Sequence, residues 1–141
     1  MVETKNKAIR LIAIALIIVF MTSITITVAS ARGSIYIEKY SCAISAGSNG
    51  KVTVSFSITG SSKMDEIGST KITIYENGTL VKTYMSSNTT GMMGSGKVIH
   101  AGTVTYSGVK GKSYRAIVTF KCGKDGGYDN RLLETYSVTA K

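Results

Sequence analysis

The sequence predicts an all-β domain, a seven-stranded antiparallel sandwich, and three observations carry that prediction. Apolar and polar residues alternate with a period of two along several stretches, and none shows a helical period. These short runs are separated by Gly, Asn, Ser and Asp clusters, the spacing of a sandwich or barrel. The chain has no proline, so no run is interrupted by a residue that cannot donate to a strand ladder.

The elements follow in order. Ile35 to Ile44 reads as a first, less regular strand, and Ser48-Asn49-Gly50 as the turn after it. Val52, Val54, Phe56 and Ile58 alternate with Thr53, Ser55, Ser57 and Thr59, a half-buried second strand. Ile72 and Ile74 alternate with Lys71, Thr73 and Tyr75 in the third. Asn77-Gly78 then predicts a tight hairpin, because both residues tolerate positive φ, and Leu80 to Tyr84 is the returning fourth strand. Val98 to Tyr106 is the fifth, with Gly102 read as a bulge. Tyr114, Ala116, Val118, Phe120 and Cys122 alternate with Arg115, Ile117, Thr119 and Lys121 in the sixth. Gly123 to Asn130 reads as a polar loop, and Leu132 to Ala140 as the seventh strand.

Tyr114 narrows the class to an immunoglobulin-like or fibronectin type III-like sandwich. It starts the second-last strand, after a Gly-rich turn, where such folds use a tyrosine to bond back across a corner. The strand order A-B-C-C′-E-F-G fits. The chain has no tryptophan, so the buried indole of antibody domains is missing.

The N-terminus reads as a signal peptide over residues 1–31. Lys5, Lys7 and Arg10 are a basic lead-in, Leu11 to Met21 an unbroken apolar run, and Ala29-Ser30-Ala31 a small-residue end. A span needs about 20 apolar residues, so an uncleaved anchor from Leu11 to Ala29 stays open as the alternative. Residues 32–141 are then one β-sandwich domain, secreted and extracellular or held at the cell surface, meeting the membrane only through its leader. Loss of Glu3 and the three basic residues takes the formal charge from +9 to +7. Such a balance favours anionic partners: a cell-wall polymer, an acidic glycan or another protein, with no specific nucleic acid implied. The basic residues are scattered, so the same charge also serves simple solubility.

Cys42 and Cys122 make an even count in an exported chain, and they are expected to form one disulfide. They would join the first and sixth strands, not the second and sixth as in antibody domains.

Chemistry of other kinds is sparse. Gly91, Gly96 and Lys97 match most of a phosphate-binding loop, but Val98 replaces the Ser/Thr, and strand rather than helix follows. His100 is the only histidine, so a His-based metal site lacks partners. Asp65 and Glu66 are adjacent and on a strand would face opposite ways, unlike the carboxylate pair of a glycosidase. Asp125, Asp129 and Asn130 sit in "KDGGYDN" without calcium-loop spacing. No catalytic, cofactor-binding or metal-binding residue is therefore assigned, and no cofactor is expected. Met92 and Met93 are expected to pack under their loop.

"MDEIGSTKITIYENG", "GMMGSG", "VTYSGVKGKSYRAIVTF" and "GKDGGYDN" resemble a family of short exported proteins of clostridia and related Gram-positive bacteria. The likeness runs over most of residues 32–141. It implies an exported bacterial setting and brings no activity, ligand or catalytic residue. The function expected is a non-catalytic, exported binding or interaction module at or near the bacterial cell surface. The alternative is a small cationic secreted antibacterial or toxin-like effector.

Overall fold

The computed structural model describes residues 33–141. The leader, its cleavage point and the anchor alternative lie outside the described residues. Alternation along the chain builds strands β1 (Ile37–Ala46), β2 (Lys51–Met64), β3 (Glu66–Glu76), β4 (Thr79–Met85), β5 (Met93–Gly94), β6 (Lys97–Ser107), β7 (Ser113–Lys124), β8 (Gly127–Glu134) and β9 (Val138–Thr139). A three-residue 3₁₀ turn, Ser48–Gly50, joins β1 to β2.

One sheet has the order β1-β2-β6; the other has β4-β3-β7-β8, with β5 added to β3 and β9 to β7. Every pairing is antiparallel. Three strands facing four, with the fifth long strand returning to the second, is the A-B-E against C′-C-F-G partition of an immunoglobulin-like sandwich of fibronectin type III kind. Six of the seven long strands lie where they are expected; the seventh, β8, is displaced toward the N-terminus from the expected Leu132 to Ala140, and β5 and β9 are two-residue additions.

Period-two alternation decides which face is buried. Val52, Val54, Phe56 and Ile58 of β2 face Ile72 and Ile74 of β3 and Tyr114, Ala116, Val118, Phe120 and Cys122 of β7 in one core. Phe56 and Phe120 meet edge-on across it, ring centroids 6.3 Å apart. Full burial of a ring of that size stabilises by roughly 2–3 kcal/mol.

Two expectations are corrected. Residues 123–130 are not a loop. Asp125 and Gly126, with φ of 53° and 82°, close a tight turn that links β7 directly to β8, so the last long strand starts at Gly127. Asp-Gly is a strong short hairpin signal, and the polar residues on both sides of it belong to the strands. The chain then breaks at residues 135–137 and resumes only as β9. Gly102 marks no bulge: it stays in register opposite Phe56. A Cβ there would stand 2.7 Å from Phe56 Cζ, so the glycine makes room for a core ring.

Candidate functional site

Tyr114 is fully buried at the start of β7, its ring 6.0 Å from that of Tyr106. Its hydroxyl accepts from the Val109 N–H at 2.7 Å and donates to a Glu76 carboxylate oxygen at 2.5 Å. The other Glu76 oxygen accepts from Lys112 Nζ at 2.8 Å. Lys112, and then Tyr114, hold the Glu76 carboxyl below its ordinary range. Burial, and then Glu76, push the Tyr114 phenol up. This group ties the end of β3, the 107–112 turn and β7 together, which is a structural task.

The expected Cys42–Cys122 disulfide is absent: both are free thiols. Tyr40 packs on Phe120, centroids 5.4 Å apart. Cys42 lies further along, with its sulfur 3.8 Å from the Leu133 carbonyl, and Leu133 is the register partner of Val118. Cys122 lies toward the other end, its sulfur 3.5 Å from the Tyr36 carbonyl. Val118 to Cys122 is four residues of strand, on the order of 13 Å. A disulfide needs Cα atoms within ~7 Å. Even count and compartment say nothing about position along a strand, and so could not foresee this. Burial pushes both thiols up.

The segment between β4 and β6 folds back over the end of the sandwich. His100 is buried, and its Nε2 donates to the Gly91 carbonyl at 2.8 Å while the ring packs 6.1 Å from Phe56. Ser69 N donates to Met92 O at 2.8 Å, and Gly96 N to Met64 O at 2.7 Å. Met92 is buried and Met93 half-buried. Lys97 begins a strand, so no helix N-terminus follows Gly91 and Gly96 to receive a phosphate. At Gly68 a Cβ would stand 2.1 Å from Met92 O, so only glycine lets β5 pair there.

Asp129 accepts on one carboxylate oxygen from Ser34 Oγ at 2.7 Å and from Tyr36 N at 2.9 Å. These bonds, the Ser34 hydroxyl first, hold its carboxyl below the ordinary range. Asp129 thus clamps the segment leading into β1 and does not gather with Asp125 into a cation site. Among the described residues no cluster of three or more His, Cys, Asp or Glu is placed to hold a metal.

Two surface features remain. The first is an open cleft of about 420 Å³ on the outer side of the larger sheet, beside β5. Asp65, Glu66 and Lys121 supply its charges, Thr70, Ser86 and Ser95 its hydroxyls, and Met93 and Gly94 its far wall. Asp65 is not on a strand; it lies in the bend between β2 and β3. The two adjacent carboxylates therefore line the same cleft, correcting the expectation of opposite faces. Asp65 Oδ2 accepts from Asp125 N at 2.9 Å. Lys121 Nζ is 2.7 Å from Glu66 Oε2 and 4.9 Å from the ring centre of exposed Tyr128. Lys121 and Met93 are both register partners of Gly68, so no side chain stands between them.

The second feature is the outer face of the three-stranded sheet. Its rows across β1, β2 and β6 are Ser45-Thr53-Thr105, Ala43-Ser55-Thr103, Ser41-Ser57-Ala101 and Lys39-Thr59-Ile99. Lys51 stands at one end and Lys39 at the other, and exposed Lys97 follows Ile99 past a break in register, where it pairs with Met64. No carboxylate occupies these rows. A shallow hollow of about 220 Å³ lies among Ser41, Ala43, Ser55 and Ser57. Thr53 and Thr105 touch at 3.4 Å. Neither feature was legible beforehand, because each joins residues from strands whose pairing was unknown.

No family model matches the chain, and no curated protein is similar to it. Among solved structures it is similar to the CARDB domain of a Pyrococcus furiosus protein, in two determinations. The solution NMR structure is 16% identical, with a TM-score of 0.39, over 72% of this chain and 93% of that one. The crystal structure, described as a complex with di-metal ions, is 17% identical, with a TM-score of 0.42, over 75% and 94%.

Proposed function

We propose that this protein is an exported, non-catalytic binding module that acts at or near the bacterial cell surface and is held there by an anionic polymer. The observation that carries the reading is the hydroxyl-lined face of the β1-β2-β6 sheet, with lysines at both ends and no carboxylate in its rows. A flat, uncharged centre lets an extended chain lie close, and the Lys39, Lys51 and Lys97 ammonium groups meet its charges at the two ends. Between the rows of Lys51 and Thr59 the face is on the order of 27 Å long, several units of a polymer. The excess of basic residues over the whole chain adds long-range attraction that salt screens. Membership of the clostridial exported family, which the motifs resemble, is part of this proposal.

The test is binding to poly(glycerol phosphate), measured by calorimetry at rising salt. Affinity is expected to fall as salt rises, and to drop about tenfold (~1.4 kcal/mol) when Lys39, Lys51 and Lys97 are all changed to Gln. Equal affinity for that triple variant and the parent protein would place the contact elsewhere and sink the reading.

A further inference from the structure

We infer that the cleft beside β5 is a second binding site and that its ligand is a neutral sugar residue of a glycan chain. The inference goes beyond the polymer-binding face, which lies on the other sheet. Charge separates the two surfaces. The protein is strongly basic, yet this cleft holds two carboxylates against one ammonium, so a polyanion is repelled here.

The donors and acceptors suit a polyol. Glu66 and Lys121 form an ion pair at 2.7 Å, with the Glu66 side chain 55% and the Lys121 side chain 25% exposed. Vicinal hydroxyls of a pyranose alternate as donors and acceptors over a few ångströms. One hydroxyl donates to a carboxylate oxygen, and its neighbour accepts from the ammonium. Thr70, Ser86 and Ser95 act in either sense. Asp65 has one oxygen engaged by Asp125 N and the other free to accept.

The non-polar parts suit the same ligand. Met93, half-buried in the far wall, offers a polarizable thioether to the C–H face of a ring. Tyr128 stands beside Lys121, outside the cleft lining and 57% exposed, and offers apolar surface to the next residue of a chain. The absence of a side chain at Gly68 leaves the space between Lys121 and Met93 open. The volume, about 420 Å³, lies within the range of small-molecule sites, ~300–1,000 Å³. The site is also built rather than incidental. Its β5 wall is fixed by the His100–Gly91 bond, the Ser69–Met92 bond and the Gly96–Met64 bond.

The experiment is an amide NMR titration of the isotope-labelled full chain with three neutral probes: cellotriose, triacetylchitotriose and mannotriose. At least one is expected to give saturable shifts confined to the amides of residues 65–70, 93–96 and 121–123, with a dissociation constant of about 1 mM. Those shifts should be unchanged by salt, unlike binding on the lysine face, so failure of one reading leaves the other standing. Ser95→Trp places a ring in the cleft from an exposed position and should abolish the shifts. Glu66→Gln should weaken binding about fivefold, and Tyr75→Ala, elsewhere on the same sheet, should not. The dispersion of the spectrum reports the fold of each variant. Absence of saturable shifts with all three probes, or unchanged binding by folded Ser95→Trp, overturns the inference.

Discussion

Removing one oxygen atom tests the corner that closes the sandwich. Tyr114→Phe keeps the fully buried ring and its packing on Tyr106, so no cavity opens. It deletes an acceptor 2.7 Å from the Val109 N–H and a donor to Glu76. Glu76 keeps Lys112 and reaches solvent, so its side of the loss is small. The Val109 N–H has no other partner among the described bonds. An unsatisfied group of that kind costs about 1–3 kcal/mol. The Val109 residue is half exposed, so water recovers part of this, and the net expectation is about 1–2 kcal/mol. For a domain of this size that is a fall in Tm of about 4–9 °C. Urea unfolding monitored by circular dichroism should show the midpoint move by about 0.5–1 M with an unchanged slope. The control is Tyr128→Phe, whose hydroxyl is on an exposed ring, with a change within about 0.5 kcal/mol. Equal midpoints for the two variants would mean that the Tyr114 hydroxyl does not hold the corner.

Other outcomes follow from the same geometry. Asp129 and Glu76 have carboxyls held below their ordinary range. Their contribution is therefore present above the unfolded carboxylate pKa and lost as pH falls through the folded values; thermal unfolding of Asp129→Asn should show a flatter acid limb than the parent. Both cysteines are free, so non-reducing mass spectrometry after denaturation and alkylation should find two labels, with Cys122 unlabelled until the protein unfolds. Two labels in the folded state, or none after unfolding, would each contradict the structure. Gly68→Ala meets the Met92 carbonyl and should cost about 2–4 kcal/mol. Gly78→Ala has open space around it and pays only for its positive φ, about 1 kcal/mol; similar losses for both would show that the backbone conformation, not the close approach of β5, decides.

Several long strands were legible because they carry their own period-two signal. Val52 to Ile58 and Tyr114 to Cys122 need no partner to show which side is buried. The Tyr114 corner was legible for a related reason: a polar-tipped ring placed just after a Gly-rich turn has one economical use. What stayed hidden depends on register. Whether Cys42 reaches Cys122 turns on a few residues of offset between strands of opposite sheets, which no local pattern encodes. The cleft has the same character. Asp65 and Glu66 looked divergent on the assumption of a continuous strand, and the bend at Asp65 removes that assumption. Lys121 read as an ordinary outward lysine until β7 was paired with β3. His100 gave no sign of its bond to Gly91, because the carbonyl that it reaches belongs to a segment with no periodicity at all.

The order β1-β2-β6 has a kinetic consequence. Partners such as Val52 and Tyr106 are separated by about half of the described chain. The smaller sheet cannot be completed until the whole of β3, β4 and the β5 segment has been passed, and the entropy of closing that loop is spent before its ladder returns anything. The local hairpins, β3-β4 across Asn77-Gly78 and β7-β8 across Asp125-Gly126, can form on the microsecond scale. Docking β6 is a slower event, and domains dominated by such non-local pairing fold in roughly milliseconds to seconds. Until it arrives, one edge of β2 lies open, with backbone groups from Lys51 to Thr59 lacking their ladder partners. With no cross-link between Cys42 and Cys122, this interval is set by chain search alone, and an oxidant would not shorten it.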